Sequence, residues 1–78
     1  MTELPLSQLP VGETARVVGV QAPRALARRL ADLGFLPGTP GRCRRRAPLG
    51  DPRVYELRGV QLCLRAREAA QVCVETDG

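Results

Sequence analysis

The stretch Leu30–Gly38, Leu-Ala-Asp-Leu-Gly-Phe-Leu-Pro-Gly, constrains the fold of this chain more than any other. Leu26, Leu30 and Leu33 stand at i, i+4 and i+7 and so share one helix face. Gly34 comes where a helix end needs a residue that tolerates a left-handed backbone. Phe35 falls where such a cap folds a hydrophobe back onto Leu30, and Pro37-Gly38 turns the chain. A short helix ending in a fixed corner and launching a strand implies a helix packed on a sheet.

Around that corner the chain reads as five short strands. Ala15–Val20 is β-branched, and Gly19 inside it marks a bulge or a close backbone approach. Pro23 opens the helix, which runs to Leu33, with Arg24, Arg28, Arg29 and Asp32 on its polar side. Arg28 and Asp32, four apart, are placed to pair. Thr39–Ala47 is the second strand; strict alternation puts Arg42, Arg44 and Arg46 on one face and Cys43, Arg45 and Ala47 on the other. Arg53–Arg58, Val60–Arg65 and Gln71–Glu75 complete the set, with Val72 and Val74 inward and one helical turn at Ala66–Ala69. Leu4–Leu9 reads as an apolar leading segment and Thr76–Gly78 as a tail. Five strands, one helix after the first and no βαβ rhythm predict a mainly β fold, a small barrel whose closure removes exposed strand edges. At 78 residues the chain forms a single domain, 1–78, with a small core.

All twelve positive charges are arginine, and the net charge of +4 suits acidic partners. The opening Met1-Thr2-Glu3-Leu4-Pro5 lacks a signal-peptide pattern, and no apolar run approaches a membrane span, so the chain reads as cytoplasmic with reduced thiols. With no His, scattered carboxylates and no phosphate-cradling motif, the sequence offers no catalytic constellation. Cys43, Cys63 and Cys73 are spread over three strands without a Cys-x-x-Cys pair. The weak metal candidates are Cys63 and Cys73, with Glu68 or Glu75, for an adventitious soft ion such as zinc; no cofactor is required. The basic patch Arg42, Arg44, Arg45 and Arg46 fits phosphates, but with Phe35 and Tyr55 as the only aromatics there is no stacking platform, and no nucleic-acid partner is expected. The same scarcity leaves no aromatic groove for proline-rich ligands. What remains are two stiff Gly/Pro loops carrying apolar residues, Leu33, Gly34, Leu36, Pro37 and Gly38 in one and Leu49, Gly50, Asp51 and Pro52 in the other. They form the candidate protein-binding surface, with the arginine strand supplying electrostatic steering.

Leu33-Gly34-Phe35-Leu36-Pro37-Gly38, Ala47-Pro48-Leu49-Gly50-Asp51-Pro52 and Leu62-Cys63-Leu64-Arg65, taken together, resemble the FeoA family over Leu6 to Val74. The resemblance implies an SH3-like barrel, similar to the C-terminal domain of DtxR-type iron-dependent repressors. It also implies a non-enzymatic accessory role in bacterial ferrous iron uptake. The implied partner is the cytosolic part of a FeoB permease with a G-protein domain, so that the protein meets the membrane only through that partner, as a monomer or weak homodimer. A metal-responsive regulatory domain is the alternative, with a basic nucleic-acid-binding module behind it.

Overall fold

In the computed structural model, which describes residues 1–77, six strands form one antiparallel sheet in the order β1-β6-β2-β3-β4-β5. They are β1 (Thr2–Pro5), β2 (Thr14–Val20), β3 (Pro40–Arg46), β4 (Arg53–Leu57), β5 (Val60–Leu64) and β6 (Val72–Thr76). Helix α1 (Arg24–Asp32) follows β2, a single turn α2 (Ala66–Ala69) precedes β6, and a 3₁₀ turn (Leu6–Gln8) follows β1. The sheet curls around one buried cluster to which every strand and both helices contribute. Leu30, Phe35, Tyr55, Leu64, Ala69, Val72 and Val74 are each at most 2% exposed. Full burial of a side chain of the Leu or Phe kind stabilises by about 1.5–3 kcal/mol, and this cluster is what holds the sheet curved.

The corner at Leu30–Gly38 forms as its residues dictate. The Phe35 amide donates to the Leu30 carbonyl at 3.0 Å and the Gly34 amide to the Ala31 carbonyl at 3.0 Å, the paired bonds of a Schellman cap. Gly34 has φ +112°, a conformation that side chains with a Cβ resist. Leu30 is fully buried, while Leu26 and Leu33 flank the core. The bulge expected near Gly19 lies between Val17 and Gly19, and it shifts the phase of the strand so that Val20 comes opposite buried Val72.

Three expectations are corrected. The sheet has six strands, because Thr2–Pro5 pairs with β6 from Thr2↔Thr76 to Pro5↔Cys73. Closure is incomplete: β1 and β5 end the hydrogen-bonded order, so two edges remain. And β3 carries a bulge between Cys43 and Arg45, which shifts the phase of the arginine run. Cys43 pairs with Tyr55 on the core side, Arg45 with outward Val54, and Arg46 with Arg53. Arg46 therefore belongs to the inner side and Arg45 to the outer, the reverse of strict alternation.

Candidate functional site

The inward-facing arginines at the end of the β3–β4 hairpin are used by the fold. Arg46 donates to the Leu9 carbonyl at 3.1 Å, and Arg53 donates to the carbonyls of Gly50 at 3.1 Å and of Ser7. The Tyr55 hydroxyl donates to the Leu6 carbonyl at 3.3 Å, and burial foremost pushes its pKa up to about 12. Three side chains thus satisfy three carbonyls of the turn after β1, while Leu6 and Leu9 plug the core below.

On the outer face, Arg44 pairs with Glu56 at 3.5 Å, and Arg16 with Glu75 at 3.7 Å. Arg42 and Arg45 are exposed and carry no ion pair among the described residues. All four arginines are exposed, but Arg44 is paired with Glu56 and Arg46 is tied to the Leu9 carbonyl, which leaves Arg42 and Arg45 as the uncommitted part of the patch.

The two Gly/Pro loops sit at opposite ends of β3 and do not merge into one surface. In the first, Leu36 is 44% exposed, with Pro37 and Gly38 also at the surface, while Leu33 and Gly34 are half-buried. In the second, Leu49 is 96% exposed at the hairpin tip, the barest large hydrophobe of the chain. Gly50 donates its amide to the Ala47 carbonyl at 2.7 Å, and Pro52 accepts from the Ala47 amide at 2.9 Å. Asp51 Oδ1 accepts from the Ala66 amide at 2.8 Å, which ties this loop to α2. So the hairpin beneath Leu49 is braced on both sides, yet the leucine packs on nothing.

The weak metal candidates are not assembled. Cys63 lies on edge strand β5 and Cys73 on β6, which are not neighbours in the sheet. Cys73 instead donates to Glu3 Oε1 at 3.6 Å; burial first, then the charge of Glu3, pushes its thiol pKa up. Glu68 accepts from the Arg65 amide at 2.9 Å and pairs with Arg29, while Glu75 pairs with Arg16. Among the described residues no three of His, Cys, Asp and Glu gather. The residues do not fit a metal centre within one chain.

The expected Arg28–Asp32 pair is also absent among the described residues; Arg29 reaches from α1 to Glu68 of α2 instead. The Arg65 amide, followed by the Arg29 hydrogen bond, holds the Glu68 carboxyl below the usual carboxylate range. Because the folded pKa is depressed, this contribution is complete above the unfolded value and is lost as pH falls through the folded one. Glu68→Gln is expected to lower stability by up to about 1 kcal/mol at neutral pH, with the deficit vanishing in acid once wild-type Glu68 is protonated too. Thermal unfolding of both proteins across pH 2–7 measures the gap, where 2 and 7 simply bracket about the ordinary carboxylate titration.

Six antiparallel strands curled around one small core, a basic outer face and a braced, bare apolar hairpin tip define the class: a small SH3-like β domain. The family follows from comparison. The FeoA domain model matches residues 4–76, and the chain belongs to the FeoA domain family. A Porphyromonas gingivalis protein, named as a fusion of Fe(2+) transport protein A with the Fe(2+) transporter FeoB, is 33% identical over 70 residues. That match covers 90% of this chain, which spans only 8% of that protein's length. The FeoA protein from Chlorobium tepidum is 39% identical, with a TM-score of 0.88 over 96% of this chain and 71% of its own. Stenotrophomonas maltophilia FeoA, solved in complex with zinc and called an SH3 domain protein, is 38% identical, with a TM-score of 0.81 over 90% of this chain and 87% of its own. The T. acidophilum IdeR chain, 18% identical with a TM-score of 0.82 over 99% of this chain and 35% of its own, shares the fold alone. Among the described residues no helix is long and apolar enough to cross a membrane.

Proposed function

We propose that this protein is a cytoplasmic, non-enzymatic accessory module of ferrous iron uptake that docks on the cytosolic part of a FeoB-like permease. The observation that carries the reading is the relative in which a homologous segment and FeoB form one polypeptide. The contacts are part of the same proposal. Leu49 on its braced hairpin is the principal anchor, with exposed Arg45 nearby on β3. Leu36 and Pro37 make a second, separate contact at the other end of the strand. Preorganised loops lower the ordering cost of docking, and the net positive charge of the chain steers it toward an acidic face. To alter transport, the module must bind one conformational state of the permease more tightly than another.

The test is titration of the isotope-labelled protein with the isolated cytosolic G-protein domain of the cognate permease, with and without guanine nucleotide. Amide shifts concentrated at 47–52, with a weaker set at 33–38 and nucleotide-dependent affinity, are expected. Absence of binding in every nucleotide state overturns the cytosolic docking reading.

A further inference from the structure

The incomplete closure of the sheet leaves one edge guarded and one open. At β1 the guard is visible: four residues only, containing Glu3 and Pro5, the charge and the proline that blunt an edge. At the other end of the order, β5 pairs with β4 alone. Its sequence, Val-Gln-Leu-Cys-Leu, contains neither charge nor proline.

The hairpin that joins β4 to β5 fixes which backbone groups point outward. Arg58 and Gly59 both have positive φ, +52° and +81°, the two-residue turn in which the flanking Leu57 and Val60 exchange hydrogen bonds. Bonded and non-bonded pairs then alternate along the ladder. Tyr55↔Leu62 and Arg53↔Leu64 are bonded pairs, so Gln61 and Cys63 turn their N–H and C=O groups away from β4. Among the described residues, no loop, helix or side-chain hydrogen bond reaches that side of β5. Val60 is 57% exposed, and Gln61 and Cys63 are exposed with it.

Exposed arginines stand at both ends of this edge. Arg58 precedes β5, and Arg65 and Arg67 follow it; none has an ion-pair partner among the described residues. A groove of about 380 Å³ runs beside Cys63 and Leu64, lined by Arg65, Arg67 and the Arg29–Glu68 ion pair, so that its unpaired charge is positive. An arriving strand therefore meets an uncharged middle and guanidinium groups at both ends. A second copy of this chain is a poor occupant. The antiparallel register that pairs Gln61 with Cys63 of the other copy brings Arg58 of one opposite Ala66 of the other, between its Arg65 and Arg67, at both ends.

We propose that β5 is a docking edge that takes an extended, acid-ended segment of a partner protein as a seventh strand. The backbone groups of Gln61 and Cys63 hold its centre, and Arg58, Arg65 and Arg67 hold its ends. This is strand addition, in which main-chain hydrogen bonds give affinity and flanking charge selects the partner. It stands on the β5 edge alone and does not depend on the permease being the partner.

The probe is a synthetic strand of alternating Thr and Val with Glu at both ends, and a counterpart with Lys at both ends, each added at millimolar concentration to the isotope-labelled protein. With the acidic strand, slowed exchange of the Gln61 and Cys63 amides and shifts confined to Val60–Leu64 are expected. The Lys-ended strand should bind at least about tenfold more weakly at low salt. The R58E/R65E/R67E variant, altered only at exposed sites, should invert that preference. Cys63→Pro, which removes an outward amide and no β4 hydrogen bond, should abolish binding; the charge-reversed variant carries the test if the proline variant does not fold. Unchanged exchange at Gln61 and Cys63, or equal binding of the two strands, overturns the proposal. So does protection of those amides without peptide, accompanied by a doubled mass in sedimentation, because the occupant is then a second copy.

Discussion

Arg53→Met should lower the stability of the domain by about 2–3 kcal/mol, the range for losing hydrogen bonds from a charged donor to carbonyls left with no replacement. In a domain of this size that corresponds to a fall in Tm of roughly 10–20 °C. Arg53 stands on β4 with its guanidinium turned inward, and it bridges two segments distant in sequence, the Ser7 carbonyl after β1 and the Gly50 carbonyl at the hairpin tip. Methionine replaces the stem's apolar contacts and leaves both oxygens unpaired. Arg53→Lys should recover only part of the loss, because an ammonium lacks the planar fork that reaches both acceptors. Arg46 and Tyr55 hold the neighbouring Leu9 and Leu6 carbonyls, so combining Arg53→Met with Arg46→Met should cost less than the sum of the two. Thermal melts of wild type and these four variants decide this; a change of Tm below a few degrees for Arg53→Met would show that water replaces the arginine without penalty.

Leu49→Asp should do the opposite, leaving Tm within about 2 °C of wild type while weakening permease binding at least about tenfold. At 96% exposure the side chain contributes almost no buried area to the fold, so its removal takes nothing from the core. In a docked complex the same leucine is an anchor entering an apolar site, where a carboxylate is costly to desolvate. Leu36→Asp makes the useful contrast. At 44% exposure part of that side chain packs against the corner, and its substitution mixes a stability loss with a binding loss. Calorimetry of binding, paired with melts of the same samples, separates the two. Retained affinity in Leu49→Asp would remove the hairpin tip from the interface.

The fold was legible wherever local chemistry decided it. The run Leu26, Leu30, Leu33, Gly34, Phe35 carries its own helix face, cap and fold-back, and the structure forms them through bonds no more than five residues apart. Gly19 announced its bulge for the same reason. What sequence missed depends on partners far along the chain. β1 has little intrinsic strand pattern and exists because β6 offers a ladder to Thr2–Pro5. No glycine stands within the bulge of β3 at Cys43–Arg45, so nothing marked the phase shift that puts Arg46 on the inner side and Arg45 on the outer. Leu9, the acceptor of Arg46, and Ser7, the distant acceptor of Arg53, lie 37 and 46 residues away, beyond any spacing rule. In the candidate site, the two loops were recognisable by their Gly/Pro content, but their separation is set by β3, and alternation alone does not give that placement. Closure of the sheet was likewise inferred from strand number, whereas hydrogen bonding between the outermost strands decides it.

The pairing of Thr2 with Thr76 also bears on how such a domain is attached to a larger protein. The outer ends of the first and last strands lie side by side, and Thr76 and Asp77 lie beside Pro40, at the end of β3 remote from Leu49. A tether joined through either end therefore presents the same bare hairpin outward. With a short flexible linker the local concentration of the domain at its neighbour rises to the order of millimolar, enough to hold a contact too weak to survive between free molecules. Fusion and separate expression then differ in how often the contact is made, while the surface that makes it stays the same.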